Sequence, residues 1–416
     1  MHPGGDPGNM ANIGMPGFID LVGMRTAGKR GGTKRDIDDA FSLLTGTALC
    51  AENDTARQNA NFTQRLKGRI TLCDTHHHGQ GNMANATRAG MALMGALLAW
   101  TAAVHAQSPQ PPVVDMAPVV VSGAQPGPGL WRVSSSDGHT LWILGTVSPL
   151  PATLEWRSDE VDAVVAEAQQ MLAAPGWTLD ADIGFFKGLT LLPSAMKAAR
   201  SPDGRRLQEV LPPALYARWE VQKKRYIGRD GGIEKDRPLV AATELYGAAL
   251  KKVGLKQRSA VSEVLDKAAK AHGHTPVSTR LVIRIDDPRQ ALKDVRASSL
   301  DDVACFERTL DVVESKLPIL VERANAWSVG DIDALQRMAV QSQYGACVDA
   351  VERSEFGRRR GLTDLDRRAQ EKWLGHARDA LKRNTVTFAV VPVFSLLAPG
   401  GYLDELRRSG YEVENP

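Results

Sequence analysis

The chain has 416 residues, 43% of them hydrophobic and 24% charged, an ordinary globular composition. Its formal net charge of +3 is too small to argue for a nucleic-acid partner, and no Arg/Lys-rich run with interleaved aromatics stands out. The densest basic stretch, Lys223 to Arg229, reads as the solvated end of a helix.

Residues 1–82 are rich in Gly and Asn, with weak periodicity and no clear pair of elements to pack together. A different pattern begins at Met83. A short segment carrying Arg88 precedes an apolar run from about Ala89 to Ala103, and Val104-His105-Ala106 fits the small-x-small cleavage rule. The run is shorter than the roughly 20 residues that a membrane span needs. Residues 83–106 are therefore expected to be a Sec-type signal peptide, with an uncleaved anchor as the alternative. Such a peptide is read near the start of a chain, so translation is expected to begin at Met83. Residues 1–82 are then an over-extended gene boundary, or else a disordered extension. The tract "CDTHHHG", Cys73 to Gly79, has a metal-binding composition but falls in that segment and is assigned no site. A Pro-, Val- and Gly-rich linker spans 107–129. The expected location is periplasmic or secreted, with the membrane met only through the signal peptide.

The mature chain, Gln107 to Pro416, keeps the two cysteines Cys305 and Cys347. Their spacing forbids a CxxC metal or redox motif. Both fall in helical patterns, so a disulfide between neighbouring helices is expected in an oxidising compartment.

The first elements after the linker read as a β-hairpin. Two apolar strands in "LWRVSSSDGHTLWILGTV" flank a turn containing Asp137-Gly138, and the second strand runs toward Ser148. A helix follows in "SDEVDAVVAEAQQML", with Ser158 as N-cap and Val161, Val164, Val165, Ala168 and Leu172 on one apolar face. Residues 190–275 read as mainly helical, with helices that end on Gly254 and Gly273. "TPVSTRLVI" reads as a strand. A long helical pair follows, interrupted at Pro318 and broken at "SVGD". A charged helix spans about Asp364 to Arg383. The chain closes with the strand "TVTFAVVPV", the loop "FSLLAPG", a helix and a last strand. The fold class expected is α/β or α+β, with one sheet and an inserted helical region.

Four stretches carry a resemblance: "LWRVSSSDGHTLWILGTV", "LPPALYARW", "RANAWSVGDIDALQ" and "TFAVVPVFSLL…YLDELRRSGYEVE". Their order and spacing over Leu130 to Glu414 resemble the TraB/GumN family. The resemblance implies an erythromycin-esterase/ChaN-like fold with two related sheet-and-helix halves. It also implies metal-dependent peptide hydrolysis, as in the Tiki relatives. That chemistry rests on two Gly-x-x-His motifs at strand ends, with acidic residues that complete a divalent metal site.

Carried over residue by residue, those motifs are degenerate. The first stands as Gly145-Thr146-Val147-Ser148, the second as Pro392-Val393-Phe394-Ser395. Serine replaces histidine in both. An expected acid appears as Ala173, and an expected Gly-x-Asp appears near Ala260-Val261-Ser262. An Asp-Arg-Asn pattern survives in part at Asp366-Arg367. After residue 106 the histidines are His139, His272, His274 and His376, none at a strand end in an apolar setting. A serine hydroxyl is a poor zinc ligand beside imidazole or carboxylate. No Gly-x-Ser-x-Gly, Walker or dinucleotide fingerprint is present.

The expectation is a family member with no catalytic residue, no cofactor and no metal ligand. Gly145, Ser148, Ala173, Pro392 and Ser395 are then vestigial, and the chain is kept for binding an unknown protein, peptide or envelope component. Two alternatives stand beside it. One is an active hydrolase with a shifted ligand set, for example Asp366 or Glu371. The other is a purely structural envelope protein.

Overall fold

The computed structural model describes residues 127–181, 185–257, 260–338 and 343–416. The segments expected to be an N-terminal extension (1–82) and a signal peptide (83–106), and nearly all of the expected linker, lie outside the described residues.

The elements run in chain order as β1 (Leu130–Ser134), β2 (Thr140–Thr146), β3 (Leu150–Pro151), α1 (Asp159–Glu167), β4 (Gln170–Leu172) and β5 (Trp177–Asp180). A helical region follows: α2 (Phe185–Ala198), α3 (Leu207–Val210), α4 (Pro213–Tyr226) and α5 (Pro238–Lys252). Next come β6 (Leu255–Lys256), α6 (Ala260–Ala271) and β7 (Leu281–Arg284). The chain continues through α7 (Pro288–Ala297), α8 (Val303–Asp311), α9 (Leu317–Ser328), α10 (Ile332–Arg337), α11 (Gln343–Arg353), α12 (Glu355–Arg359) and α13 (Leu365–Arg383). It ends with β8 (Val386–Pro392), α14 (Val393–Leu397), α15 (Tyr402–Arg408) and β9 (Glu412–Glu414). The fold is mixed α+β.

The main sheet has five strands in the order β4-β8-β2-β1-β9. β8 pairs with both β2 and β4 in parallel, and β1 is antiparallel to β2 and to β9. β2 and β8 are central and almost wholly buried. That explains why both read as near-continuous apolar runs rather than alternating ones. β5 and β7 form a separate parallel pair. An isolated bridge between Leu172 and Val277 leads from the main sheet toward it. The helical insertion therefore lies between β5 and β7.

The hairpin closes through a three-residue loop. Gly138 N–H bonds the Ser135 carbonyl at 3.0 Å, Ser135 N–H bonds the His139 carbonyl at 2.9 Å, and Gly138 takes φ = 83°. A positive φ is cheap only for glycine, and this glycine lets the chain reverse.

Four expectations are corrected. The helix from Asp159 stops at Glu167, and Gln170–Leu172 become β4, because Met171 and Leu172 gain full burial beside β8. Ser158 starts that helix without a side-chain cap bond. Lys223, read as solvated, turns inward to the buried Glu234 at 2.5 Å, which also accepts from Trp219 Nε1 at 3.1 Å. Pro318 is accommodated at the first turn of α9, after a π-helical turn over Val312–Lys316. A proline there forfeits no intrahelical bond.

Three apolar clusters fill the domain. The largest packs the main sheet against α1, α6, α9 and α13; a second lies among α3, α4, α5, α8 and α9. The third gathers β5, β7, α7, α8, α11 and α12, and it contains the disulfide Cys305–Cys347. The bridge joins α8 to α11, as two cysteines in helical patterns suggested. Near it, Arg237 is buried with its guanidinium among the carbonyls of Ala198, Val295, Arg296 and Ser298, at 2.7–3.2 Å. Asp302, also buried, accepts the Leu239 N–H at 2.9 Å near the N-terminus of α5. Such a helix end leaves N–H groups without intrahelical partners, and a carboxylate suits it.

Removing the bridge by Cys305→Ala with Cys347→Ala opens a closure spanning 42 residues. The unfolding free energy should fall by about 2–4 kcal/mol, read from the urea midpoint. Burial raises the Asp302 carboxyl from 3.8 to about 6. The folded state then binds this proton more tightly than the unfolded chain does. Its stabilising contribution is full below pH 4 and is lost as pH rises through about 6. Asp302→Asn keeps an acceptor for Leu239 and does not titrate. Between pH 4 and pH 7 the parent should lose stability relative to this variant, on the order of 2 kcal/mol, in paired denaturation curves.

Candidate functional site

Parallel pairing places Gly145 beside Val391 and Thr146 beside Pro392. Both degenerate motifs therefore leave the carboxyl ends of adjacent central strands at one rim of the sheet. Neither serine is itself a strand residue. β2 ends at Thr146, and Ser148 lies two residues beyond it, half-buried, before a cis peptide bond to Pro149. β8 ends at Pro392, and Ser395 sits exposed inside the short helix α14, where a loop was expected.

One helix holds this rim together. From α9, Trp327 Nε1 donates to the Gly145 carbonyl at 2.6 Å. One turn earlier, Arg323 Nη2 donates to the Ser148 carbonyl at 3.1 Å. Residues four apart share a helix face, so a single face of α9 grips the end of β2 and its extension. Trp327 is 1% exposed and meets Trp156 edge-to-face at 5.4 Å. The Arg323 guanidinium also lies over the Phe394 ring, 4.5 Å from its centroid. Arg323 thus touches the segments of both motifs.

Gly145 has a packing reason to be glycine. A Cβ there would come within 2.5 Å of the Trp131 ring and 3.2 Å of Val393. Ser148 Oγ donates to the Gln257 carbonyl at 3.0 Å. Ala173 is buried and its methyl side chain offers no ligating atom; its backbone N–H donates to the Val277 carbonyl at 3.0 Å. Ser262, at the position of the expected aspartate, is fully buried, and its Oγ has no hydrogen-bond partner.

The partly retained pair is engaged elsewhere. Asp366 is exposed near the start of α13 and accepts from the Tyr344 hydroxyl at 3.3 Å. Arg367 pairs along the surface with Asp364 at 3.1 Å and Glu371 at 2.6 Å. The histidines are scattered: His139 Nδ1 lies 2.8 Å from the Leu381 carbonyl, His272 meets Asp162, and His274 Nε2 lies 2.9 Å from the Val165 carbonyl. His376 lies on α13, where burial and the nearby Lys372 lower its pKa.

A divalent cation does not fit the residues at this rim. Two hydroxyls, a methyl group and a buried hydroxyl replace the imidazoles and carboxylates such an ion needs. The rim already contains a guanidinium, which would repel it. Among the described residues, no three His, Cys, Asp or Glu side chains are arranged to hold a metal ion. Sequence reasoning passed over Arg323 and Trp327, although "RANAW" was in view. A charged residue within the apolar helix "LPILVERANAW" was the available signal.

The grip of α9 is open to mutation. Trp327→Phe keeps most of the ring and leaves the Gly145 carbonyl unpaired, for a loss of about 1–3 kcal/mol in urea unfolding. Gly145→Ala must displace the Trp131 indole and should destabilise the domain by about 1–3 kcal/mol.

Searches of curated proteins and of solved structures gave no match. The sequence profile of the TraB/PrgY/gumN family matches residues 129–415, which is most of the chain and all of the sheet just described. With both motif segments meeting at one rim of that sheet, the chain belongs to the TraB/PrgY/gumN family.

Proposed function

We propose that this chain is a periplasmic or secreted family member whose metallohydrolase site has decayed, retained for binding or scaffolding at the envelope. The observation that carries this reading is the rim itself. Ser148, Ala173, Ser262 and Ser395 stand where the resemblance implies ligands, and the buried cation Arg323 contacts both motif segments. A Ser-based hydrolase gains no support, since Ser148 Oγ donates to a backbone carbonyl and not to a base. Carboxylates that could form a shifted set, Asp366 and Glu371, are engaged with Tyr344 and Arg367. The signal-peptide pattern at 83–106 supports export. Among the described residues, no helix is long and apolar enough to cross a membrane.

The reading is tested on protein recovered from the periplasm or the medium. N-terminal sequencing is expected to start at Gln107. Metal analysis is expected to give far less than one equivalent of any divalent ion, and a peptidase assay no turnover above background. Stoichiometric metal together with hydrolysis refutes the decay.

A further inference from the structure

We propose that the rim binds a small carboxylate through the Arg323 guanidinium, so that an anion site stands where the family places a cation. This rests on the reading that the rim is kept for binding.

Arg323 is 6% exposed. Of its donors, Nη2 is taken by the Ser148 carbonyl, while Nε is buried without a hydrogen-bond partner. The Phe394 ring offers its π face, which attracts a cation but is no acceptor for an N–H in the guanidinium plane. Among the described residues, no carboxylate pairs with this side chain. Buried charges are ordinarily paired, because desolvation of a lone ion is expensive. Burial lowers the Arg323 pKa to about 10, so the group remains cationic at neutral pH while bearing that desolvation cost.

The chemistry selects the ligand. A guanidinium presents its N–H groups in a planar fork that matches the two oxygens of a carboxylate. Among the described residues, the groups in contact with this guanidinium, Ser148 and Phe394, are neutral, as is Ser395 beside Phe394, and Tyr246 is a titratable side chain near enough to act on it electrostatically. Ser395 is exposed, one residue from the stacked ring, where a hydroxyl can face an incoming anion.

The probe is acetate, titrated against chloride at matched ionic strength into the exported protein labelled with ¹⁵N-arginine. One buried Nε–H resonance should move saturably with acetate and be missing from Arg323→Met. The thermal midpoint should rise with acetate in the parent and not in the variant. If Arg323→Met does not fold, Arg323→Lys identifies the resonance, and the parent titration still decides. No saturable shift in the parent overturns the proposal. So does an equal response to chloride, or one retained in a folded Arg323→Met. The decay reading fails separately, through bound metal with hydrolysis, whatever acetate does.

Discussion

The parallel pairing of β2 with β8 is the constraint on which the molecule depends. It joins strands from opposite ends of the domain, with the helical insertion and α13 between them. Both strands are buried on both faces, so a register slip would push Phe388, Ile143 and their neighbours off the core. The register also sets Thr146 beside Pro392. Everything proposed for the rim follows from that one alignment, because it brings two remote motif segments within reach of α9. Long-range pairing of this kind must recover the entropy of closing a large loop, and the apolar surface of the central strands is what does so.

The scaffold around the rim does not draw its stability from the motif side chains. Stability here comes from the sheet, three apolar clusters and a disulfide, none of which needs a metal. Hydroxyls at the motif positions are therefore compatible with an intact scaffold. The buried, unpartnered hydroxyl of Ser262 marks a place where polarity persists without a partner. Arg323 and Trp327 fix the extension of β2 by bonding its carbonyls, so the backbone geometry does not depend on which side chains the motif carries.

Much of this was legible in the sequence. Apolar runs located β2 and β8, the cysteines announced a clamp between helices, and glycines marked the ends of α5 and α6. What escaped notice was non-local. Met171 and Leu172 sit in phase with the helix before them, and only their burial beside β8 makes them a strand. Lys223 reads as one more solvated lysine until Glu234 is found buried beside it. Ser148 reads as the goal of an apolar run, yet the strand stops at Thr146 before the turn toward Pro149, and Ser395 reads as loop but lies in the short helix that follows the end of β8 at Pro392. Arg323 belonged to a recognised segment, but its role depends on a carbonyl and a ring distant in sequence, which periodicity cannot reveal.

The edge strands add a further consequence. β1 runs opposite to β2, so the chain enters the domain level with the end of β2, where Leu130 faces Leu144. β9 runs opposite to β1, and Pro416 comes to rest against Gly129. Both ends of the domain thus meet at the end of the sheet that bears the rim. Any tether attached to either end would hold that face toward its own anchoring point. Approach by a bulky partner would then depend on the length of the tether as much as on the shape of the rim.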